Sequence, residues 1–112
     1  MGQIVDTRLL EWQPVRPDVT RGVEGKTLLA GEVKIVITRV VPGGGFSEHR
    51  DEYGHLFYFF SGEGMVSVGE TQFEARPGVA VRVAVGEPHA YENTGPDEML
   101  LISINLPRSQ VL

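Results

Sequence analysis

Three histidines and one aspartate lie at spacings that could bring metal-binding side chains together. His49 and Asp51 are two residues apart, and His55 follows four residues after Asp51. Side chains two apart on an extended segment leave the same face of a strand. The third histidine, His89, directly follows the turn-like tripeptide Gly86-Glu87-Pro88. Because divalent transition metals bind imidazole and carboxylate groups, these four residues are candidate metal ligands.

Each histidine, taken alone, has a structural interpretation. A single histidine in a β-protein is usually a surface residue or a hydrogen-bonded residue at the edge of the core. Asp51 has an alternative too, because a carboxylate is shorter than an imidazole and could fall short of the ion. It could then accept a hydrogen bond from a ligand histidine and fix the tautomer of that ring. Spacing alone leaves these alternatives open.

The elements that must position these residues are predicted to be short strands. The chain contains 14 Gly and 7 Pro, and clusters of them separate runs rich in Val, Ile, Phe, Tyr and Thr. No stretch of about a dozen residues carries an apolar helical period free of Gly or Pro. The pattern predicts an all-β sandwich or barrel. The predicted strands are Val33–Val41, His55–Phe60, Met65–Val68, Gln72–Ala75, Val79–Val83 and Met99–Leu106.

Three segments carry more specific signals. In Val33–Val41 the odd-numbered positions form one apolar face, which Arg39 interrupts. The segment Met65–Ala75, broken at Gly69-Glu70, has the spacing of a tight hairpin. Residues 1–25 have no clear apolar period, and we expect an N-terminal arm of one or two short strands. This arm could lie over the barrel or over a neighbouring subunit.

The composition limits the class of protein. A chain of 112 residues predicts one domain spanning residues 1–112, and 41% hydrophobic residues suffice for a core. The absence of cysteine fits a reducing compartment. With a net charge of −5 and scattered basic residues, the chain has no basic stripe for nucleic acid. Its apolar runs are too short to cross a membrane, and no signal-peptide pattern is visible. A cytoplasmic protein with a small-molecule or protein partner is therefore expected.

Around the histidines the chain resembles the cupin family. The first cupin motif reads G-x5-H-x-H-x3-E-x6-G, and the second reads G-x5-P-x-G-x2-H-x3-N. Residues 43–62 have the spacing of the first motif and residues 78–93 that of the second. The resemblance implies a single-domain cupin barrel, that is a double-stranded β-helix or jelly roll. The matching positions are Gly43, His49, Asp51, His55 and Gly62, then Gly78, Ala84, Gly86, His89 and Asn93.

Two ligand positions depart from the family pattern, and Ala84 stands where the second motif has proline. Asp51 stands where the family has its second histidine, and His55 stands where it has glutamate. The usual set of three imidazoles and one carboxylate is thus kept, with two positions exchanged. The chain also resembles a small group of single-domain manganese cupins with a four-histidine site, in which the fourth histidine takes the position of Asp51. The resemblance implies one divalent ion (Mn, Fe, Ni, Cu or Zn) held by His49, Asp51, His55 and His89.

Four further residues are candidate lining of a pocket beside the ion. Phe57 shares a strand face with His55, and Tyr91 shares one with His89. Tyr53 and these two residues could equally belong to the core, since aromatic side chains inside a barrel usually do. Arg39 could bind an acidic group of a substrate or could pair with a carboxylate of the protein.

The resemblance implies two classes of function. One is a metal-dependent, dioxygenase-like oxidoreductase acting on a small oxygen-rich or enolisable compound, because four protein ligands leave coordination positions open. The other is a non-catalytic module that binds a small ligand or uses the ion to stabilise the fold, and a sugar-modifying cupin is a further alternative. Small cupins usually form homodimers through sheet packing and exchange of N-terminal strands. A homodimer is therefore expected, with an arm folded back on its own barrel as the alternative.

Overall fold

The computed structural model describes residues 2–110, and their regular structure is almost entirely β-strand. A 3₁₀ turn at Thr7–Leu9 is the one helical element in that range, and residues 2–110 contain no helix long and apolar enough to span a membrane. The all-β prediction is confirmed. The strands are β1 Gln13–Pro14, β2 Thr20–Ala30, β3 Lys34–His49, β4 Gly54–Ser61, β5 Gly64–Val68, β6 Thr71–Ala75, β7 Ala80–Val83, β8 His89–Asn93 and β9 Met99–Leu106.

All the strands belong to one sheet that curls into a barrel. The order along the sheet is β6-β5-β8-β3-β9-β4-β7, and β2 pairs with both β1 and β3. Besides its ladder with β2, strand β3 takes part in two others, since its first half pairs with β9 and its last residues pair with β8. The sheet therefore turns from one wall of the barrel to the other within β3.

Consecutive glycines allow β3 to bend. A Cβ atom on Gly44 would lie 2.5 Å from the carbonyl oxygen of Arg21, and one on Gly45 would lie 2.6 Å from the carbonyl oxygen of Tyr91. The neighbouring backbones thus approach too closely for any side chain at these two positions. Gly43 adopts a φ of 79°, which other residues rarely adopt. The bend brings the end of β3 beside β8.

Alternation along β3 decides which side chains enter the barrel. Thr38 and Val40 point inward and are almost fully buried. Val36 points the same way and lines a cavity inside the barrel, which is described below with the site. Residues Ile35 and Ile37 alternate with them and stay partly exposed. The predicted apolar face of odd-numbered residues therefore exists, and it is the outer face of the barrel.

The predicted hairpin is confirmed. Strands β5 and β6 pair antiparallel, and Val68 lies opposite Thr71 across the two-residue turn. Gly69 begins this turn with a φ of 58°. Two-residue turns favour glycine at such a position because their backbone must match the twist of the strands.

The N-terminal segment folds against its own chain. Strand β1 pairs with β2, and the Trp12 ring before it lies between two basic side chains. The Lys26 ammonium is 4.6 Å and the Arg39 guanidinium carbon 4.2 Å from the ring centroid. Because β2 begins at Thr20, the segment 1–25 contains the start of a strand that belongs to the barrel sheet. These contacts place the residues that follow Trp12 along the wall of the interior cavity.

Candidate metal centre

His49, Asp51, His55 and His89 lie together inside the barrel. One ligand atom from each residue lies within 4.8 Å of the others. Asp51 Oδ2 is 3.0 Å from His49 Nε2, 2.8 Å from His55 Nε2 and 3.5 Å from His89 Nε2. The Asp51 side chain is only 7% exposed. The structure thus brings together the four residues to which the spacing and the motifs point.

These residues come from separate parts of the fold. His49 ends β3 and His89 begins β8, and the two are paired across the ladder. His55 is the second residue of β4. Asp51 lies in the loop between β3 and β4, where the Gly86 N–H donates a hydrogen bond to the Asp51 carbonyl oxygen at 2.9 Å. Asp51 therefore reaches the cluster from a loop, and not by the strand alternation that its spacing predicts.

Hydrogen bonds on the outer side of each ring determine which nitrogen carries the proton. Nδ1 of His49 lies 2.8 Å from a backbone carbonyl oxygen, and Nδ1 of His89 lies 2.9 Å from another. A carbonyl oxygen only accepts hydrogen bonds, so Nδ1 is the donor in both rings. Nδ1 of His55 donates in the same way to Asn105 Oδ1 at 3.2 Å. In the neutral form of each ring, Nε2 therefore presents a lone pair to the centre of the cluster.

The convergence of these acceptors fits a bound cation. Nε2 of His49 and Nε2 of His89 are buried and have no hydrogen-bond partner. Buried acceptors that face one another are unfavourable unless a cation lies between them. Metal–ligand bonds of about 2.0–2.2 Å place ligands at right angles about 3 Å apart, which matches the spacing around Asp51 Oδ2. The donor set of three imidazoles and one carboxylate suits one divalent transition metal.

Burial favours the protonation states that bind metal. Burial lowers the pKa of His89 to about 4, although the hydrogen bond to the Glu87 carbonyl opposes this shift. Burial likewise lowers the pKa of His55. Burial opposes ionisation of Asp51, but the adjacent His55 ring and the hydrogen bond from Arg16 outweigh it and hold the pKa of this carboxyl below its usual value. At neutral pH His55 and His89 are therefore neutral and Asp51 is ionised, as metal binding requires.

Arg16 is part of the site although neither motif contains it. Its Nη1 donates a hydrogen bond to Asp51 Oδ1 at 3.0 Å, while Oδ2 of the same carboxylate faces the rings. The Arg16 backbone has a φ of 39°, the one positive value among the non-glycine residues of the range 2–110. In the sequence Arg16 is marked only by Pro14 and Pro17, which indicate a rigid turn and no chemistry.

A cavity of about 330 Å³ opens beside the cluster. Its wall contains the rings of His49, His55 and His89, so that a bound molecule would contact the metal-binding atoms directly. The volume lies at the small end of the range for small-molecule sites. The aromatic side chains of the wall are Phe46, Tyr53, Phe57 and Tyr91. The polar and basic side chains of the wall are Gln13, Arg16, Thr27, Lys34, Thr38, Ser103 and Asn105.

Arg39 does not line this cavity, which corrects its assignment as a pocket residue. It lies on the outer face of β3, because it alternates with the buried residues Thr38 and Val40. Its guanidinium donates two hydrogen bonds to Glu24 Oε1, at 2.8 and 3.1 Å, and stacks on Trp12. The alternative use, pairing with a carboxylate of the protein, is the one observed.

Sequence and structure comparisons agree with this architecture. A family model described as "Cupin domain" matches residues 36–105, which is more than half of the chain. The chain belongs to the cupin family. No curated protein sequence matches this cupin.

Solved structures share the fold of this cupin along most of its length. A predicted oxalate decarboxylase from Thermotoga maritima has a TM-score of 0.84 at 19% identity, over 94% of this chain and 99% of that one. The polyketide cyclase RemF from Streptomyces resistomycificus has a TM-score of 0.83 at 20% identity, over 94% of this chain and 79% of that one. KdgF from a Halomonas species has a TM-score of 0.80 at 19% identity over the whole of both chains. At these identities the likeness shows the fold.

The geometry of this cupin accommodates the exchange of carboxylate and imidazole between two motif positions. His55 lies opposite Asn105 of β9, and this neighbour accepts the hydrogen bond that orients the ring. Asp51 is shorter than the histidine of the family pattern, but the loop carries it into the cluster. The exchange thus preserves a cluster of three ring nitrogens and one carboxylate oxygen.

Proposed function

We propose that this cupin binds one divalent transition metal ion and is a dioxygenase-like oxidoreductase acting on a small oxygen-rich or enolisable compound. The proposed ligands are His49, Asp51, His55 and His89. The observation that carries the proposal is the convergence of three ring nitrogens on one carboxylate oxygen, beside a cavity that reaches them. Manganese, iron, nickel, copper and zinc ions all bind such a ligand set.

The groups available in the cavity wall favour a reaction at the metal ion. A bound ion supplies Lewis-acid or redox chemistry at an oxygen substituent of the substrate. Among the described residues, the cavity wall has no carboxylate and no histidine outside the cluster. A reaction that needs a separate carboxylate or histidine as general acid or base therefore lacks that group here, and the other titratable side chains that could move a proton are Lys34, Tyr53 and Tyr91. The hydroxyl and amide groups of Thr38, Ser103 and Asn105 offer hydrogen bonds that would orient an oxygen-rich molecule.

Metal binding is tested on protein purified without an affinity tag. The chain has 3 histidines and all of them lie in the cluster, so histidine-dependent binding reports on this site alone. Elemental analysis should find one transition metal ion per chain, and His49→Ala and His89→Ala should lose it. A substoichiometric content that is unchanged in both variants would contradict the proposed site.

Catalysis is tested by oxygen consumption with diketones, phenols, thiols and uronates. We expect turnover of an enolisable compound that requires the ion and disappears in His49→Ala. If the loaded protein is inert toward all four classes, and removal of the ion sharply lowers Tm, the non-catalytic and metal-stabilised alternative is correct. Turnover of uronates without oxygen would instead favour a sugar-modifying cupin.

We also propose a homodimer that packs through the outer face of β3, β9 and β4. This face is continuous across the three strands, because Ile37, Ile102 and Tyr58 are paired in one row. Tyr58 is 43% exposed. A second copy of the same face would bury it by two-fold packing. The apolar residues of this outer face are Ile35, Ile37, Leu56, Tyr58, Phe60, Leu100, Ile102 and Ile104.

Light scattering tests the dimer. The wild-type chain should have the mass of two copies, and Ile102→Asp should have the mass of one while keeping its metal content. A wild-type mass of one copy at micromolar concentration would contradict the proposal. Exchange of N-terminal strands is not required, since β1 pairs with β2 of its own chain.

A further inference from the structure

We infer that Arg16 is the anion-binding group of this site and that the cavity takes a small carboxylate. The inference rests on the proposed function and names the chemical class of its substrate. It depends on three observations: the charge of the cavity wall, the free donors of Arg16 and the backbone conformation that presents this residue.

The cavity wall has a charge opposite to that of the whole chain. The chain carries a net charge of −5. The described residues of the wall nevertheless include Arg16 and Lys34, and no aspartate or glutamate. Asp51, at the edge of the cluster, is the nearby acidic group, and a bound divalent ion would more than offset its charge. An anionic molecule is therefore complementary to the metal-loaded cavity.

The Arg16 guanidinium keeps donors for a ligand. A guanidinium has five N–H donors in a planar fork, and the bond to Asp51 Oδ1 comes from Nη1. The Tyr53 hydroxyl is a second hydrogen-bonding neighbour of the same guanidinium, which leaves the remaining N–H donors for a ligand. The Arg16 side chain is still 41% exposed, and it lines the cavity. A planar fork of this kind binds the two oxygens of a carboxylate in parallel.

The backbone conformation of Arg16 is energetically unfavourable. Its φ of 39° lies in the left-handed region, which arginine adopts far less readily than glycine or asparagine. The Thr20 hydroxyl holds the turn through contacts of 2.6 Å to the Val15 carbonyl oxygen and 3.1 Å to the Arg16 carbonyl oxygen. A partly exposed ion pair alone contributes little to stability. Unfavourable backbone conformations that are held in place beside a cavity are typical of functional sites.

Arg16 has a competing role that the test must separate. By donating to Asp51 Oδ1, it could merely position the carboxylate for the ion. A positioning role affects the metal affinity, whereas an anion-binding role affects carboxylate affinity at constant metal occupancy. Measuring the two affinities separately therefore distinguishes them.

The experiment uses nickel-loaded protein and titrates lactate, with the neutral isostere lactamide, by calorimetry. Arg16→Asn removes the charge with a residue that tolerates positive φ, and Arg16→Lys keeps the charge. Arg82→Asn is the matched control, since Arg82 is exposed on β7 and lies outside this cavity. We expect wild type to prefer lactate, and Arg16→Asn to weaken lactate binding about ten- to hundredfold. Arg16→Lys should recover part of this loss, and Arg82→Asn should have no effect.

The supporting result is a loss of lactate preference in Arg16→Asn at an unchanged nickel affinity. Equal lactate affinity in wild type and Arg16→Asn would overturn the inference. So would equal binding of lactate and lactamide, no lactate binding by the nickel-loaded wild type, or a nickel affinity that falls in parallel with lactate binding. Failure of the wild type to bind nickel would instead overturn the proposed metal site.

Discussion

Replacing Asp51 by asparagine separates direct ligation of the ion by Asp51 from hydrogen bonding to a ligand histidine. In the structure Oδ1 accepts a hydrogen bond from Arg16 at 3.0 Å, and Oδ2 lies 2.8 Å from His55 Nε2. An asparagine in the same place can keep its oxygen toward Arg16 and turn its NH₂ group toward the lone pair on Nε2. The substitution thus conserves shape and exchanges one buried acceptor for a donor.

Without metal, Asp51→Asn should change stability little. The new hydrogen bond to Nε2 contributes about 1 kcal/mol, and the weaker bond between Arg16 and a neutral oxygen offsets part of it. In a chain of 112 residues, 1 kcal/mol corresponds to about 4 °C in Tm. We therefore expect the chelator-treated variant to melt within about 4 °C of wild type.

With metal, the expected effect of Asp51→Asn is large. Removing one partner of a buried, charged interaction costs about 3–5 kcal/mol, and about 4 kcal/mol is roughly a thousandfold in Kd. If the carboxylate only orients a ligand histidine, its removal lowers the metal affinity about 10- to 100-fold. The two roles of Asp51 therefore differ by about an order of magnitude or more in the measured Kd.

Competition titration against a chromophoric chelator, with zinc and with nickel, measures this difference. Asp97→Asn is the control, because Asp97 is an exposed carboxylate outside the cluster. A Kd for Asp51→Asn within about a hundredfold of wild type would refute ligation by Asp51. A fall of more than about 10 °C in the Tm of the metal-free variant would refute the assignment of a lone pair to Nε2 of His55.

Two further predictions concern stability. The metal-free protein should lose up to about 3 kcal/mol of unfolding free energy as pH falls from about 6.5 to about 4, because the pKa of His89 is lowered to about 4 in the folded chain and the unfolded chain is protonated first. Urea denaturation at pH 7 and at pH 4.5 measures this loss, and a pH-independent value would contradict it. Gly45→Ala should cost at least about 1–3 kcal/mol, because its Cβ would lie 2.6 Å from the Tyr91 carbonyl oxygen. Gly31→Ala, with no neighbouring atom closer than 3.9 Å, should leave Tm unchanged in the same thermal scan.

The later strands could be predicted because local chemistry marks their ends. Strand β9 runs over Met99–Leu106, as predicted, and β4 extends the predicted His55–Phe60 by one residue at each end. The turn at Gly69-Glu70 combines a glycine at positive φ with alternating flanks. Such signals depend on the backbone preferences of a few adjacent residues, so a single sequence contains them.

The end of the long strand β3 could not be predicted from neighbouring residues alone. The sequence predicts a strand that ends at Val41, followed by a glycine-rich turn, but β3 continues to His49. The glycines here allow a bend within a strand, because the backbones of Arg21 and Tyr91 approach Gly44 and Gly45. Those contacts join residues far apart in the sequence. A glycine run therefore has two meanings, and only the tertiary pairing distinguishes them.

The place of Arg16 in the site also could not be predicted from neighbouring residues, because it depends on contacts between distant parts of the chain. Arg16 lies 35 residues from Asp51 in the sequence and outside residues 36–105, which the family model matches. Its place beside the cluster depends on the pairing of β1 with β2 and on the contacts of Trp12 with two basic side chains. If Arg16 selects the anionic group of the substrate, as we propose, selectivity resides in the segment before the motifs, whereas the metal ligands reside within them. The two properties can then change independently, because a substitution in the turn at Arg16 alters neither motif.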